Sequence, residues 1–292
     1  MTWFLPTSRP FVTSDRPVLR ATDSRYGFFD PQAAAVGLKL HEGYSSAEPF
    51  PHLILDNFLD EEILERCLGE FPPRSSSGAS YDRPQEQGKL EFKPETLSAP
   101  LRSLFYSFNS APFLRFLENL TGIKGLLPDP FFFGAGLHEV ANGGHLDVHT
   151  DFNHHAVLNL ERRINVLIYL NRDWREEYGG CFEMWDASMH ACVRRVVPSF
   201  NRCVIFNTSL TSFHGHPEPV KHPAGLPRRA IALYYYTATW DDSAEARNTR
   251  FRRRPRSNDV FDFQLRAQEW MENVTPPIAL RAFRGLRRRL QR

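Results

Sequence analysis

Apolar positions along the chain change their period once, near residue 131. Before that point the pattern is mostly helical. In "LDEEILERCLGEF" (59–71), Ile63, Leu64, Cys67, Leu68 and Phe71 recur at helical spacing, with acidic residues in the first turn. The preceding "HLILDNF" reads as a strand. "SAPLRSLFYSFNSAPFLRFLENLTG" (98–122) reads as two helices broken near Ala111-Pro112, because proline lacks the N–H a continuing helix needs. From 131 onward the apolar runs shorten. "FFFGAGLHEV", "GHLDVHTDF", "RRINVLIYLN", "CFEMWD", "ACVRRVV", "CVIFNT" and "RRAIALYYYTATW" are rich in β-branched and aromatic residues, and turn clusters such as "NGG", "EEYGG" and "PAGLP" separate many of them. Many short strands with little helix between them predict an antiparallel barrel or jelly roll, mainly β with flanking helices.

The remaining stretches are less regular. Residues 1–45, rich in Pro, Ser, Thr and Arg, are expected to be an irregular lead-in. Residues 72–89 read as a polar loop, and "DPFFFGAG" as a strand entering the barrel. "ALRAFRGLRRRLQR" at the end predicts a helix with a solvated basic face formed by Arg281, Arg284, Arg287, Arg288, Arg289 and Arg292. The expected organisation is lead-in 1–45, one domain over 46–245 with its β part from about 131, and a basic extension over 246–292. No fixed-period repeat appears.

Composition narrows the class. Hydrophobic residues make up 41% and charged residues 24% of the 292, as in a globular protein. No run of about 18 apolar residues predicts a membrane helix. The formal charge of +2 gives no reason to expect nucleic acid as a partner. The start lacks a secretory pattern, and Cys67, Cys181, Cys192 and Cys203 have no C-x-x-C spacing. They read as reduced thiols, and a cytoplasmic protein is expected.

Candidate chemistry concentrates in "GGHLDVHTDFNHH" (143–155), with four histidines and two aspartates. Strand alternation puts His145, Asp147, His149 and Asp151 on one face. Two overlapping H-x-D pairs, His145/Asp147 and His149/Asp151, therefore compete to present an imidazole and a carboxylate to one ion. A ferrous site of two histidines and one carboxylate needs a third ligand from elsewhere. "SFHGHPEPV" offers His214 or His216. The following strand opens with Arg228 and Arg229, and an arginine there suits two-pronged pairing with a carboxylate.

On these residues the sequence resembles the Fe(II)/2-oxoglutarate-dependent dioxygenases, in the branch similar to prolyl 4-hydroxylases. The segments that carry the resemblance are "PHLILDNFLDEEILERCLGEFP", "DPFFFGAGLHEVANGGHLDVHTDFN", "RRINVLIYLNRDWREEYGGCFEMWD", "CVIFNTSLTSFHGHPEPV" and "RRAIALYYYT", over about 49–241. The resemblance implies a double-stranded β-helix (a cupin-like jelly roll). It implies His149, Asp151 and His214 as Fe(II) ligands and as the catalytic set, rather than His145, Asp147 or His216. Arg228 and Tyr169 would hold 2-oxoglutarate, with Ala230 standing where the family frequently has serine. O2 would be co-substrate and ascorbate a stimulant. The implied reaction decarboxylates 2-oxoglutarate to succinate and CO2 and hydroxylates an unactivated carbon. The favoured substrate is a prolyl or similar residue of a protein or peptide. The same chemistry on a free amino acid, a sugar or a natural product is the alternative, and a non-catalytic jelly-roll binding module is the rival of another class. Asn165 and Arg163 share the strand face of Tyr169, so Asn165 is a candidate pocket residue or a satisfied core amide. His154 and His155 are expected in a turn or behind the ligands.

Overall fold

The structure is a computed structural model, and it describes residues 10–23, 28–76, 78–241 and 244–259. The chain divides into two compact units, Met1–Arg256 and Ser257–Arg292. All helices and strands of the described residues lie in the first. The C-terminal helix expected from the sequence falls outside the described residues.

Among the described residues four α-helices flank the sheet: α1 (Ala33–Ser45), α2 (Glu61–Gly69), α3 (Ala99–Phe108) and α4 (Ala111–Thr121). Pro112 sits in the first turn of α4, where a missing N–H costs nothing, so the helix break falls at the proline. Gly122 ends α4 at φ +76°, a left-handed cap. Helix α1 lies within the lead-in expected to be irregular. Its buried residues Ala33, Gly37, Leu40 and Tyr44 recur at helical spacing, but alanine and glycine leave almost no apolar signal. Gly37 is required there, since a Cβ would stand 2.2 Å from the Phe116 carbonyl oxygen of α4. Phe116 itself is fully buried, with Phe113 at 5.8 Å and Phe58 at 6.3 Å between ring centres. Phe116→Ala is expected to lower the unfolding free energy by roughly 3–5 kcal/mol. Urea titration checks this, and a loss under about 1 kcal/mol would mean that the aromatic cluster is not close-packed.

The principal strands are β1 (His52–Leu55), β2 (Ala79–Arg83), β3 (Glu86–Phe92), β4 (Gly136–Thr150), β5 (Leu160–Tyr169), β6 (Phe182–Trp185), β7 (Cys192–Val196), β8 (Cys203–Asn207), β9 (His214–His216) and β10 (Arg228–Thr237). They run β1-β8-β5-β10-β4-β9-β6-β7, with β3 also on β4 and β2 on β3. These neighbours are antiparallel. Strand β4 does double duty. Its first part pairs with β10 and its last part with β9, so one strand carries the chain from one wall of the double-stranded β-helix to the other. Alternation along β5 separates two environments. Ile164, Val166 and Ile168 join the helical core, while Tyr169 packs inward with Phe182, Phe206 and Ala230.

Two local expectations are corrected. The expected polar loop of 72–89 instead runs from residue 79 into the β2–β3 hairpin (79–92), whose β3 edge pairs with β4. "DPFFFGAG" is a turn rather than a strand, because Asp129 accepts hydrogen bonds from the backbone N–H of Phe131 (2.8 Å) and Phe133 (2.6 Å). Phe132, at φ +46°, is buried, while Phe131 and Phe133 are exposed.

Candidate active site

The last residues of β4 and the short strand β9 meet at one point. His149 and His214 are directly opposed across the β4–β9 pair, and Asp151 follows β4 immediately. One donor atom from each of these three side chains lies within 4.8 Å of the others. Only glycine permits this approach, because a Cβ on Gly215 would stand 2.8 Å from the Asp147 carbonyl oxygen.

Both imidazoles are set as ligands by their backs. His149 Nδ1 lies 2.8 Å from the Asp147 carbonyl and His214 Nδ1 2.9 Å from the Ser212 carbonyl. A carbonyl can only accept, so each Nδ1 carries the proton and each Nε2 turns a lone pair toward the site. Burial depresses His214 to about 4, against the opposing pull of Asp151, so its ring is neutral near pH 7. Burial acts to raise the Asp151 carboxyl, but Arg162, His214 and His149 outweigh it and hold the group well below its usual range. Two imidazoles and one ionised carboxylate suit a divalent first-row metal.

Strand alternation does not hold through the end of β4. The β4–β9 register slips between the His214↔His149 and His216↔Leu146 pairs, a β-bulge. Leu146 and His149 therefore both line the cavity. His145 and Asp147 do not line it, and they face each other instead, with Nε2 3.5 Å from Oδ1. The two H-x-D pairs are thus separated, and only His149/Asp151 meets His214. His216 is buried and lines the cavity but lies outside the cluster of three.

The cavity, about 460 Å³, joins this cluster to Arg228 and Tyr169. Arg228 is buried on β10, its Nε donating to the Gly180 carbonyl at 2.8 Å and its Cζ 4.9 Å from the Tyr169 ring centre. Burial, only partly offset by Arg228, pushes the Tyr169 phenol up to about 12, so it remains a donor. Its buried hydroxyl has no hydrogen-bond partner among the described residues. A buried guanidinium beside an unsatisfied phenol is a seat for a carboxylate. Arg229 turns to the opposite face and binds Glu139 at 2.9 Å. Ala230 lies beside Tyr169 across the β5–β10 pair and offers no hydroxyl.

Arg162 was not singled out from the sequence. Parity on β5 groups 163, 165, 167 and 169, but the register slips between Arg162 and Ile164. That bulge turns Arg162 into the cavity and leaves Arg163 outside it, bonded to Thr237. Nothing in the local sequence marks the slip. Asn165, a candidate pocket residue, donates from Nδ2 to Asp151 Oδ2 at 2.8 Å. His155 is buried against Asp129 (3.3 Å), and His154 stacks on Trp240 (4.1 Å). The four cysteines are free, and no helix among the described residues is long and apolar enough to cross a membrane.

The sequence model of the 2OG-Fe(II) oxygenase superfamily matches residues 135–236. The chain is 25% identical over 197 residues to the mouse "Prolyl 3-hydroxylase OGFOD1", covering 65% of this chain and 33% of that protein. It therefore spans about a third of the length of that relative. In three dimensions it is similar to the prolyl hydroxylase of Trichoplax adhaerens, solved with a hypoxia-inducible-factor peptide. The TM-score is 0.52 at 17% identity, over 73% of this chain and 95% of that one, and the similarity is one of fold.

Proposed function

We propose, on the premise that this chain belongs to the 2OG-Fe(II) oxygenase superfamily, that it hydroxylates an unactivated carbon with His149, Asp151 and His214 holding Fe(II). Arg228 and Tyr169 are assigned to the far carboxylate of 2-oxoglutarate. The observation that carries this reading is the single cavity in which three metal-competent donors face a buried arginine and an orphaned phenol.

Each residue has a defined task. His149 and His214 offer their Nε2 atoms, and their Nδ1–H bonds keep the rings from turning. Asp151 supplies the negative charge. Arg228 binds and orients the keto acid, and Tyr169 donates to the same carboxylate. Leu167, Phe182 and Val140 give that end of the cavity apolar walls that limit water. When bound, Fe(II) with 2-oxoglutarate and O2 supplies the oxidising power, releasing succinate and CO2 as the substrate carbon is hydroxylated.

For the substrate we favour a prolyl or similar residue in a polypeptide. The matched relative is named a prolyl hydroxylase, and residues of the β2–β3 hairpin and the exposed ring of Phe133 line the cavity, where a polypeptide could reach it. A small-molecule substrate is the alternative.

Anaerobic titration of apo-protein with Fe(II) and 2-oxoglutarate tests the cofactor assignment without knowledge of the substrate. The expected result is the weak visible charge-transfer band of a chelated keto acid. No band from folded protein with iron available would sink the reading and favour a jelly-roll binding module.

A further inference from the structure

We propose that Arg162 and Asn165 form an anion-holding niche that positions the Asp151 carboxylate and that will take a small external carboxylate when Asp151 is removed. The proposal rests on the reading of His149, Asp151 and His214 as metal ligands.

The niche is built from fixed donors. Arg162 is almost fully buried, and its guanidinium carbon lies over two nearly perpendicular rings, 3.5 Å from the Tyr234 ring centre and 4.3 Å from that of Phe152. Its Nε and one terminal nitrogen donate to Asn165 Oδ1 at 3.1 and 2.7 Å. That contact fixes the amide, since Oδ1 must face the guanidinium and Nδ2 must therefore face Asp151. Asn165 Nδ2 donates to Asp151 Oδ2 at 2.8 Å, and the same terminal nitrogen of Arg162 stands 3.3 Å from Oδ1. The two carboxylate oxygens are thus approached by two different donors. His149 Nε2 approaches Oδ1 at 3.7 Å and His214 Nε2 approaches Oδ2 at 3.4 Å.

The charges explain why the niche outlives its carboxylate. Replacing Asp151 with glycine leaves a buried guanidinium and a buried amide N–H aimed at empty space. An uncompensated buried cation and an unmet donor are both costly. The guanidinium would also repel a metal ion at the neighbouring imidazoles. An anion of carboxylate shape relieves both, and the niche, held by the contacts of Arg162 with Tyr234 and Phe152 and by the Asn165 bridge, does not depend on Asp151 for its form. Arg162 and Asn165 are positioning residues, acting on the metal through the carboxylate they hold.

The test is calorimetric titration with Mn(II), a redox-stable stand-in for Fe(II), at constant ionic strength with and without formate. Wild-type protein is expected to bind Mn(II) with no formate dependence. Asp151→Gly should bind at least about a hundredfold more weakly, and formate should recover roughly tenfold or more of that loss. Adding Arg162→Met or Asn165→Leu to Asp151→Gly should remove the formate effect. Asn165→Leu carries the test should Arg162→Met fail to fold. Formate should also raise the melting temperature of metal-free Asp151→Gly and leave that of the wild type unchanged. Folded Asp151→Gly that ignores formate in both measurements overturns the niche, as does a formate effect that survives Asn165→Leu. Wild-type protein that binds no Mn(II) sinks the metal reading itself and the niche with it.

Discussion

Asp151→Gly, in formate-free buffer, is expected to reduce Fe(II)-dependent succinate formation to background. Three donors converge at the junction of β4 and β9, and Asp151 is the anionic one. Without it the metal would meet two imidazoles and, close by, the positive charge of Arg162. Supporting groups around a metal ligand typically carry a factor of about 10–100 in affinity, and loss of the ligand itself is expected to exceed that. The fold should survive, because Asp151 stands at the end of a strand whose core contacts come from residues such as Leu137. The measurement is succinate release beside circular dichroism of the same sample. A folded variant with undiminished turnover would remove Asp151 from the ligand set and reopen the question of which carboxylate serves.

Arg228→Ala is expected to separate the two cofactors. Arg228 is buried, is held by the Gly180 carbonyl, and lies beside the unpartnered Tyr169 hydroxyl. Truncating one member of a buried charge pair costs roughly 2–5 kcal/mol, which corresponds to about thirtyfold or more in Kd. The variant should therefore bind Mn(II) as the wild type does, while 2-oxoglutarate binding weakens by at least that factor. Calorimetry of each ligand reads both quantities. Equal 2-oxoglutarate affinity in the two proteins would place the far carboxylate elsewhere and favour a cupin-like metalloenzyme that does not use the keto acid. Ala230 sharpens the experiment, since the serine hydroxyl frequent in the family is absent beside Tyr169 and a larger share of the anchoring falls to Arg228.

What was legible in the sequence were features carried by short segments. The helix break at Pro112 lay in a proline, and the strands in runs of β-branched residues. His149, Asp151, His214, Arg228 and Tyr169 could be named because the resemblance supplied the register among competing histidines. The structure brings all five to one cavity.

Tertiary structure decided whatever depended on register or on another segment's backbone. Alternation placed His145, Asp147, His149 and Asp151 on one face, and a bulge in β4 divided them. A second bulge in β5 put Arg162, rather than Arg163, against Asp151. A bulge inserts one residue into a ladder and reverses every face beyond it, and no side chain need announce it. Helix α1 was hidden because its buried stripe opens with Ala33 and Gly37, the latter chosen by the Phe116 carbonyl of a distant helix. The turn that holds Phe133 at the cavity mouth was hidden because Asp129, not the phenylalanine run, sets its path. The sequence by itself therefore determined the fold class and named the candidate donors. Which donors share a face was decided only when strands paired, because pairing register is a property of two segments at once.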